Sequence, residues 1–232
     1  MTNNKSTGAP LVDSFVGALC EKKDVCWPWY ILTRRIGWII VDELATAWKA
    51  GLSITAFRAR EFHGGQTPAS PRDIYWTVSS WREHVRRGSW QPERYDETGE
   101  RVLYLSTTPE TALREAKRGT DPVYLQRFQL DLPTTKTVTL GHDLEQRAPH
   151  LHFLLLSSEY PREGSRLQNP YRATHFLSYA CAVLRIDAIE YPSVRVNLKD
   201  HPTEFNLVLF RRAVDAAEGM MTGDPFLYPE TP

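Results

Sequence analysis

Arg101-Val-Leu-Tyr-Leu-Ser106 and, one residue later, Thr108-Pro-Glu-Thr-Ala-Leu-Arg-Glu115 form the stretch on which the fold turns. The first half is a compact apolar run bounded by polar residues, which reads as a strand buried in a sheet. The second half opens with a threonine suited to capping a helix, a proline at the first helical position and an acid in the first turn, where it opposes the helix dipole. A helix from about Pro109 to Lys117, ending at Gly119, follows.

Outward from this unit the same signals recur. Downstream, residues 123–132 and 136–140 read as two strands separated by Pro133, and 150–158 and 173–185 as helices. A strand near Ala188–Tyr191, a Pro-Ser corner and the strand Asn206-Leu-Val-Leu-Phe210 complete that half, and after Ala217 the chain turns tail-like. Upstream, Ser53–Phe62 alternates apolar and polar residues and predicts a strand, which Gly64, Gly65, Pro68 and Pro71 then break. The Trp-rich span 73–92 shows no sustained period and reads as loop with short helical turns. Between 11 and 50, Val12, Phe15, Val16 and Leu19, then Ile40, Leu44, Ala47 and Trp48, fall at helical spacing, with Gly51 placed to end the second helix. The expectation is an α+β protein with a flexible tail at 1–10, a helical N-terminal extension at 11–50, a main domain at 53–212 and a C-terminal tail at 218–232.

Composition narrows the function classes. The 232 residues are 41% hydrophobic and 24% charged, an ordinary globular balance, and at this length folding buries roughly 70–75% of the unfolded chain's surface. With 28 basic against 28 acidic residues, neither direct nucleic-acid binding nor attachment to an anionic membrane is expected. The apolar stretch Ile36–Ala47 contains Asp42 and Glu43 and falls far short of the ~20 residues that span a bilayer. Met1–Pro10 lacks the pattern of a secretion signal, so a cytoplasmic protein is expected, with delivery by a machine that reads no cleavable signal also compatible. Cys20, Cys26 and Cys181 lack metal-ligand spacing, as do His142, His150 and His152; reduced structural thiols and no metal are expected.

No Gly-rich phosphate loop is present, and Ser193 does not sit in a Gly-x-Ser-x-Gly elbow. What remains is a set of polar residues at strand ends or early in helices: Arg58, Arg60, Arg94, Tyr95, Tyr104, Glu115 and Ser193. Taken singly, each has an ordinary reading. The arginines at 58 and 60 suit a solvated face, Glu115 a surface pair with Lys117 or Arg118, and Ser193 a turn after proline.

Their order says more. Phe57-Arg58-Ala-Arg60, Glu93-Arg94-Tyr95-Asp96, Val102–Ser106 with Thr108–Glu115, Ile189-Glu-Tyr-Pro-Ser193 and Asn206–Phe210 together resemble the RES domain family, named for an arginine, a glutamate and a serine in that order. The resemblance covers about residues 53–212, and Tyr171, Thr174 and His175 also fit it. It implies an ADP-ribosyltransferase-like split, mixed β core with flanking helices, opening into a cleft for nicotinamide adenine dinucleotide (NAD+). It implies, too, a toxin that destroys NAD+ by phosphorolysis or hydrolysis, with inorganic phosphate as a possible co-substrate and an Xre-type antitoxin or an immunity protein as partner. Arg58, Glu115 and Ser193 take the catalytic places, and Arg60, Arg94, Tyr95, Tyr104 and Asn206 line the dinucleotide. Two departures stand out. The family's Gly-Arg-aromatic-Asn is here Glu93-Arg94-Tyr95-Asp96, and the span 73–92 is longer than in short members.

The residue types suit that chemistry. Nicotinamide leaves already carrying positive charge, so the reaction needs positioning and stabilisation of an oxocarbenium-like sugar rather than a strong acid. Arginines on rigid strands grip a pyrophosphate through paired charge-assisted bonds, and a glutamate stabilises the cationic ribose. Two other readings stay open: an ADP-ribosyltransferase acting on a protein, and a catalytically silent module that binds a nucleotide or a partner.

Overall fold

The computed structural model describes residues 35–62, 67–70, 102–116, 121–140, 144–152, 154, 172–193 and 204–228. Its elements are α1 (Arg35–Ala47), β1 (Trp48–Glu61), β2 (Val102–Ser106), α2 (Pro109–Ala116), β3 (Val123–Thr139), α3 (Leu144–Arg147), α4 (Arg172–Leu184), β4 (Ala188–Pro192), β5 (Phe205–Phe210), α5 (Arg211–Glu218) and β6 (Met221–Leu227). The α+β class is as expected. Among the described residues, no helix is long and apolar enough to cross a membrane.

The chain divides into two units, one comprising residues 1–48, 92–98 and 138–186 and the other 49–91, 99–137 and 187–232. In the second unit the strands are ordered β1-β2-β5-β4-β3-β6, and an added pairing of β1 with β3 curls the sheet back on itself. Every residue from Asn206 to Phe210 is buried because β5 lies between β2 and β4, with apolar layers against both pleats. On one pleat Leu103, Leu105, Leu207 and Leu209 meet Phe128, Leu130 and Leu132, and Ala213, Val214 and Ala217 of α5 cover them. On the other, Phe57, Ala112 of α2 and Leu125 form a smaller cluster.

Helix α2 starts as its sequence dictates: the Thr111 amide donates to Thr108 Oγ1 at 3.2 Å. Glu204 then anchors it from outside, accepting from Thr111 Oγ1 at 2.5 Å and lying 3.5 Å from the Arg114 guanidinium. These contacts fix the direction in which the last turn, bearing Glu115, leaves the sheet.

Four local expectations are corrected. The helix read through Trp48 stops at Ala47, and β1 begins at Trp48 rather than Ser53, so the boundary drawn at residue 50 falls inside a strand. Gly51 is no helix stop; it sits in β1 at φ +85°, where a Cβ would lie 3.6 Å from the Pro133 carbonyl oxygen. Pro133 does not split residues 123–140 into two strands, because it lies on an exposed position where no amide is needed. Its effect is a change of phase, from burial at 128, 130 and 132 to burial at 135 and 137. Residues 218–228 are no tail, since α5 runs to Glu218 and β6 pairs antiparallel with β3, while 229–232 lie outside the described residues. The tail 1–10, the first predicted helix within 11–34 and the span 73–92 lie outside the described residues, as do 155–158 of the helix placed at 150–158.

In the first unit, α1 and α4 are in contact, and the predicted helix at 173–185 is α4. It closes with Arg185 at φ 55°, whose amide bonds Ala182 O at 3.3 Å, while the Ile186 amide reaches Cys181 O at 2.8 Å. This is a Schellman ending with arginine at the position glycine usually takes. Cys181 is buried and is not part of a disulfide. Glu43 of α1 holds the segment after α3: its carboxylate accepts the Leu151 amide at 2.8 Å and lies 2.7 Å from His150 Nδ1, which makes His150 a packed histidine.

Asp187 is the tie-point of the second unit. Its carboxylate accepts Arg212 Nε at 2.7 Å, Arg212 Nη2 at 2.8 Å and the Lys136 amide at 3.0 Å, while its carbonyl accepts the Phe210 amide at 2.8 Å. Burial opposes the charge, but the Arg212 and Lys136 hydrogen bonds outweigh it and hold the carboxyl below its ordinary range. A depressed folded value means the unfolded state binds more protons in acid. The contribution is therefore complete above the unfolded value of about 4 and is lost as pH falls through the folded one. Asp187→Asn is expected to cost about 1–2 kcal/mol at pH 7, the low end for such a network because the Arg212 side chain is 66% exposed. Urea midpoints of the two proteins should converge as pH drops below about 4; a gap unchanged at pH 3 would show that the charge contributes nothing.

Candidate active site

Three strands and one helix of the second unit bring four side chains together. The Cα of Ser106, at the end of β2, lies opposite that of Asn206 on β5, and Asn206 in turn lies opposite Tyr191 on β4. Facing residues on adjacent strands share a pleat, so the Ser106 and Asn206 side chains meet. Ser193 follows directly where β4 ends after Pro192, and α2 delivers Glu115 from its last turn.

The geometry is specific. Ser193 Oγ donates to Glu115 Oε1 at 2.7 Å, and Asn206 Nδ2 donates to the same oxygen at 2.8 Å. Ser106 Oγ donates to Asn206 Oδ1 at 2.8 Å. The three supporting residues are buried, with exposures of 4% for Ser106, 4% for Asn206 and 2% for Ser193, whereas Glu115 is half-buried. An ionised carboxylate only accepts, so the hydrogen between Ser193 and Glu115 belongs to the serine, and the serine oxygen turns its lone pairs elsewhere. Two donors on one oxygen hold the carboxylate in a single rotation about its side chain, and charge-assisted bonds of this length are the stronger kind.

The other sequence-predicted residues are placed as follows. Tyr104 is half-buried on β2 with its Cα opposite Val208, two residues from Ser106 and hence on the same pleat. Arg58 Nη1 donates to the Tyr104 carbonyl at 3.0 Å. Phe57, not Arg58, is the Cα partner of Ser106, so Arg58 continues the row of Leu52 and Ala56 on the other pleat. Arg60 shares that row, and its guanidinium lies 5.7 Å from the Phe62 ring centroid. Arg94 and Tyr95 lie outside the described residues. The structure thus joins Glu115, Ser193 and Asn206, puts Tyr104 on their pleat and shows Arg58 against the strand carrying Tyr104.

Sequence reading missed Ser106 as a member of the group. The signal was present, a small hydroxyl closing an apolar strand nine positions before Glu115, but it meant nothing until β5 was known to lie beside β2.

The family model of the RES domain matches residues 68–229, more than half of the sequence and all four clustered residues. The chain belongs to the RES domain family. The match reaches past residue 212, the end expected from the sequence, and takes in β6; it begins after Arg58 and Arg60 and includes Arg94. No curated protein matches the sequence. This RES domain is similar to a chain in the crystal structure of the M. tuberculosis MbcT-MbcA toxin-antitoxin complex, at 12% identity and a TM-score of 0.48 over 82% of this chain and 92% of that one.

Proposed function

We propose that this RES domain cleaves the nicotinamide–ribose bond of NAD+ by phosphorolysis or hydrolysis. In this reading it is a growth-inhibiting toxin on an ADP-ribosyltransferase-like core, held in check by an Xre-type antitoxin or an immunity protein. Family membership supports it, and the observation that carries it is the half-buried Glu115 carboxylate fixed by Ser193 and Asn206.

In the reaction the C1′–N bond breaks and its electron pair neutralises the nicotinamide ring. A phosphate or water oxygen then bonds C1′, a proton being released when water is the acceptor. Positive charge peaks on the ribose in between, and a carboxylate already held in place stabilises it without reorganising. Ser193 donates its hydrogen bond to Glu115, so toward a substrate its oxygen acts as an acceptor. That suits the amide N–H of nicotinamide's carboxamide better than a phosphate oxygen, which needs a donor. Tyr104 provides an aromatic wall on the same pleat, and the pyrophosphate falls to the arginines.

The test is incubation of the purified protein with NAD+, with and without phosphate, and identification of the products. Nicotinamide with ADP-ribose 1″-phosphate indicates phosphorolysis, and nicotinamide with ADP-ribose indicates hydrolysis. ADP-ribose attached to protein would move the domain to the transferases, and an intact dinucleotide with folded protein would sink the proposal.

The arginines yield a graded prediction. A forked guanidinium bond to phosphate is not reproduced by an ammonium, so Arg→Lys at a gripping position is expected to lower kcat/KM by at least about tenfold, or ~1.4 kcal/mol. Arg94, inside the family match, is the one expected to respond, with Arg58 and Arg60, which share the row on the other pleat, as comparison variants. Wild-type kinetics in Arg94→Lys would remove the phosphate clamp.

A further inference from the structure

We infer that Ser106 is a positioning residue of this site, anchoring the far end of the Asn206 amide so that its Nδ2 stays on Glu115. The inference rests on the proposed function for its kinetic consequence and on geometry alone for its structural one.

The two ends of an asparagine amide are nearly identical in shape and opposite in chemistry. With Nδ2 toward Glu115 the pair is a charge-assisted hydrogen bond; turned over, Oδ1 would face a carboxylate oxygen with no proton between them. The carboxylate itself therefore selects the Nδ2-inward orientation, and whatever contacts the far end of the amide holds it there. That contact is the Ser106 hydroxyl, 2.8 Å from Oδ1. A hydroxyl can also accept, so its orientation is settled by the relay as a whole. Glu115 accepts only, which turns Nδ2 inward and Oδ1 outward, and Ser106 then donates.

The backbone makes the arrangement stiff. Ser106 and Asn206 are Cα partners in the β2–β5 ladder, so their side chains start from adjacent points on one pleat. Both are 4% exposed. Flanking contacts hold the register, since the Thr107 amide donates to Phe205 O at 2.9 Å and the Phe205 amide to Thr107 Oγ1 at 2.9 Å. Glu115 is consequently oriented from two directions: Ser193 acts on it directly, and Ser106 acts through Asn206.

The experiment compares wild type, Ser106→Ala, Ser106→Thr, Asn206→Ala and Ser106→Ala/Asn206→Ala. Ser106→Ala removes only the donor and is expected to lower kcat by on the order of tenfold with KM within about twofold, because positioning of a stabilising group acts on the transition state. Ser106→Thr restores the hydroxyl and should recover most of the rate. In the Asn206→Ala background the Ser106 change should have no further effect, since its intermediary is gone. Independently of catalysis, the Asn206 side-chain NH2 protons in 15N-labelled protein should show one slowly exchanging, shifted proton in wild type and lose it in Ser106→Ala. A retained, protected proton in Ser106→Ala overturns the inference even if the protein never consumes NAD+. So does an undiminished kcat, or an equal kcat loss with and without Asn206. A wild type that leaves NAD+ intact while the amide proton responds as described would instead overturn the proposed reaction and uphold the orienting role.

Discussion

Glu115→Gln is expected to reduce NAD+ consumption by on the order of 100-fold or more, and to abolish the growth arrest that the unpartnered wild type should cause in bacteria. The substitution keeps volume and leaves a carbonyl oxygen able to accept from Ser193 and Asn206 at the place of Oε1. What it removes is the negative charge opposite the ribose cation. Some stability goes with it, because hydrogen bonds to a charge are stronger than those to an amide. About 1 kcal/mol is the expected cost, leaving a folded protein in which the rate loss is read cleanly. Full activity in this variant would reduce Glu115 to a structural member of the α2–β4–β5 junction.

Ending the chain at Glu218 is expected to unfold the second unit. Met220 and Met221 pack against the larger apolar cluster, and Phe226 and Tyr228 against the cluster of Phe57, Ala112 and Leu125. The Tyr228 hydroxyl also donates to Glu110, a bond that holds that carboxyl below its ordinary range and the tyrosine above its own. Four half-buried large side chains amount to about 4–6 kcal/mol of burial, against a total stability of about 5–15 kcal/mol. The truncation would further leave β3 without its β6 neighbour along Tyr124–Phe128, an unpaired edge prone to association. Loss of near-ultraviolet circular dichroism and recovery in the insoluble fraction are the expected readouts. A soluble truncated chain with the wild-type urea midpoint would show that β6 contributes nothing.

These two regions also mark what could be read from the sequence. The β2–α2 unit was legible because its signals are local: an apolar run, a capping threonine, a proline at the first helical position. Strand β5 was legible as five apolar or small-polar residues with no breaker. Strand β6 was not, because Met221-Thr-Gly-Asp-Pro-Phe-Leu227 carries three turn-formers. The structure accommodates them by setting Gly223, Asp224 and Pro225 against the single residue Gln126. The buried Gln126 amide donates to the carbonyls of Thr222 at 3.2 Å and Gly223 at 3.3 Å. Helix α5 was hidden for the opposite reason. It begins straight from β5 at Phe210 with no side-chain cap, so nothing in the residues announces a start. Pro133 and Gly51 each read locally as a break, and in the structure the Gly51 backbone lies against Pro133. Glu115 and Ser193 were legible through the order of family motifs. Their hydrogen bond was not, since it joins residues 78 apart and depends on β4 and β5 pairing first.

That separation has a consequence for when the domain can act. Ser106 and Asn206 lie 100 positions apart and Glu115 and Asn206 lie 91 apart, so the site is made almost wholly of non-local contacts. Such contacts form late, after the entropy of closing long loops has been overcome. On a ribosome β5, α5 and β6 emerge after β1 to β4, and until β5 does the glutamate has no Asn206 beside it. A nascent chain from which β5 has not yet emerged therefore lacks the assembled group. Whatever the site does, it can do only once β5 has been made and has paired with β2 and β4.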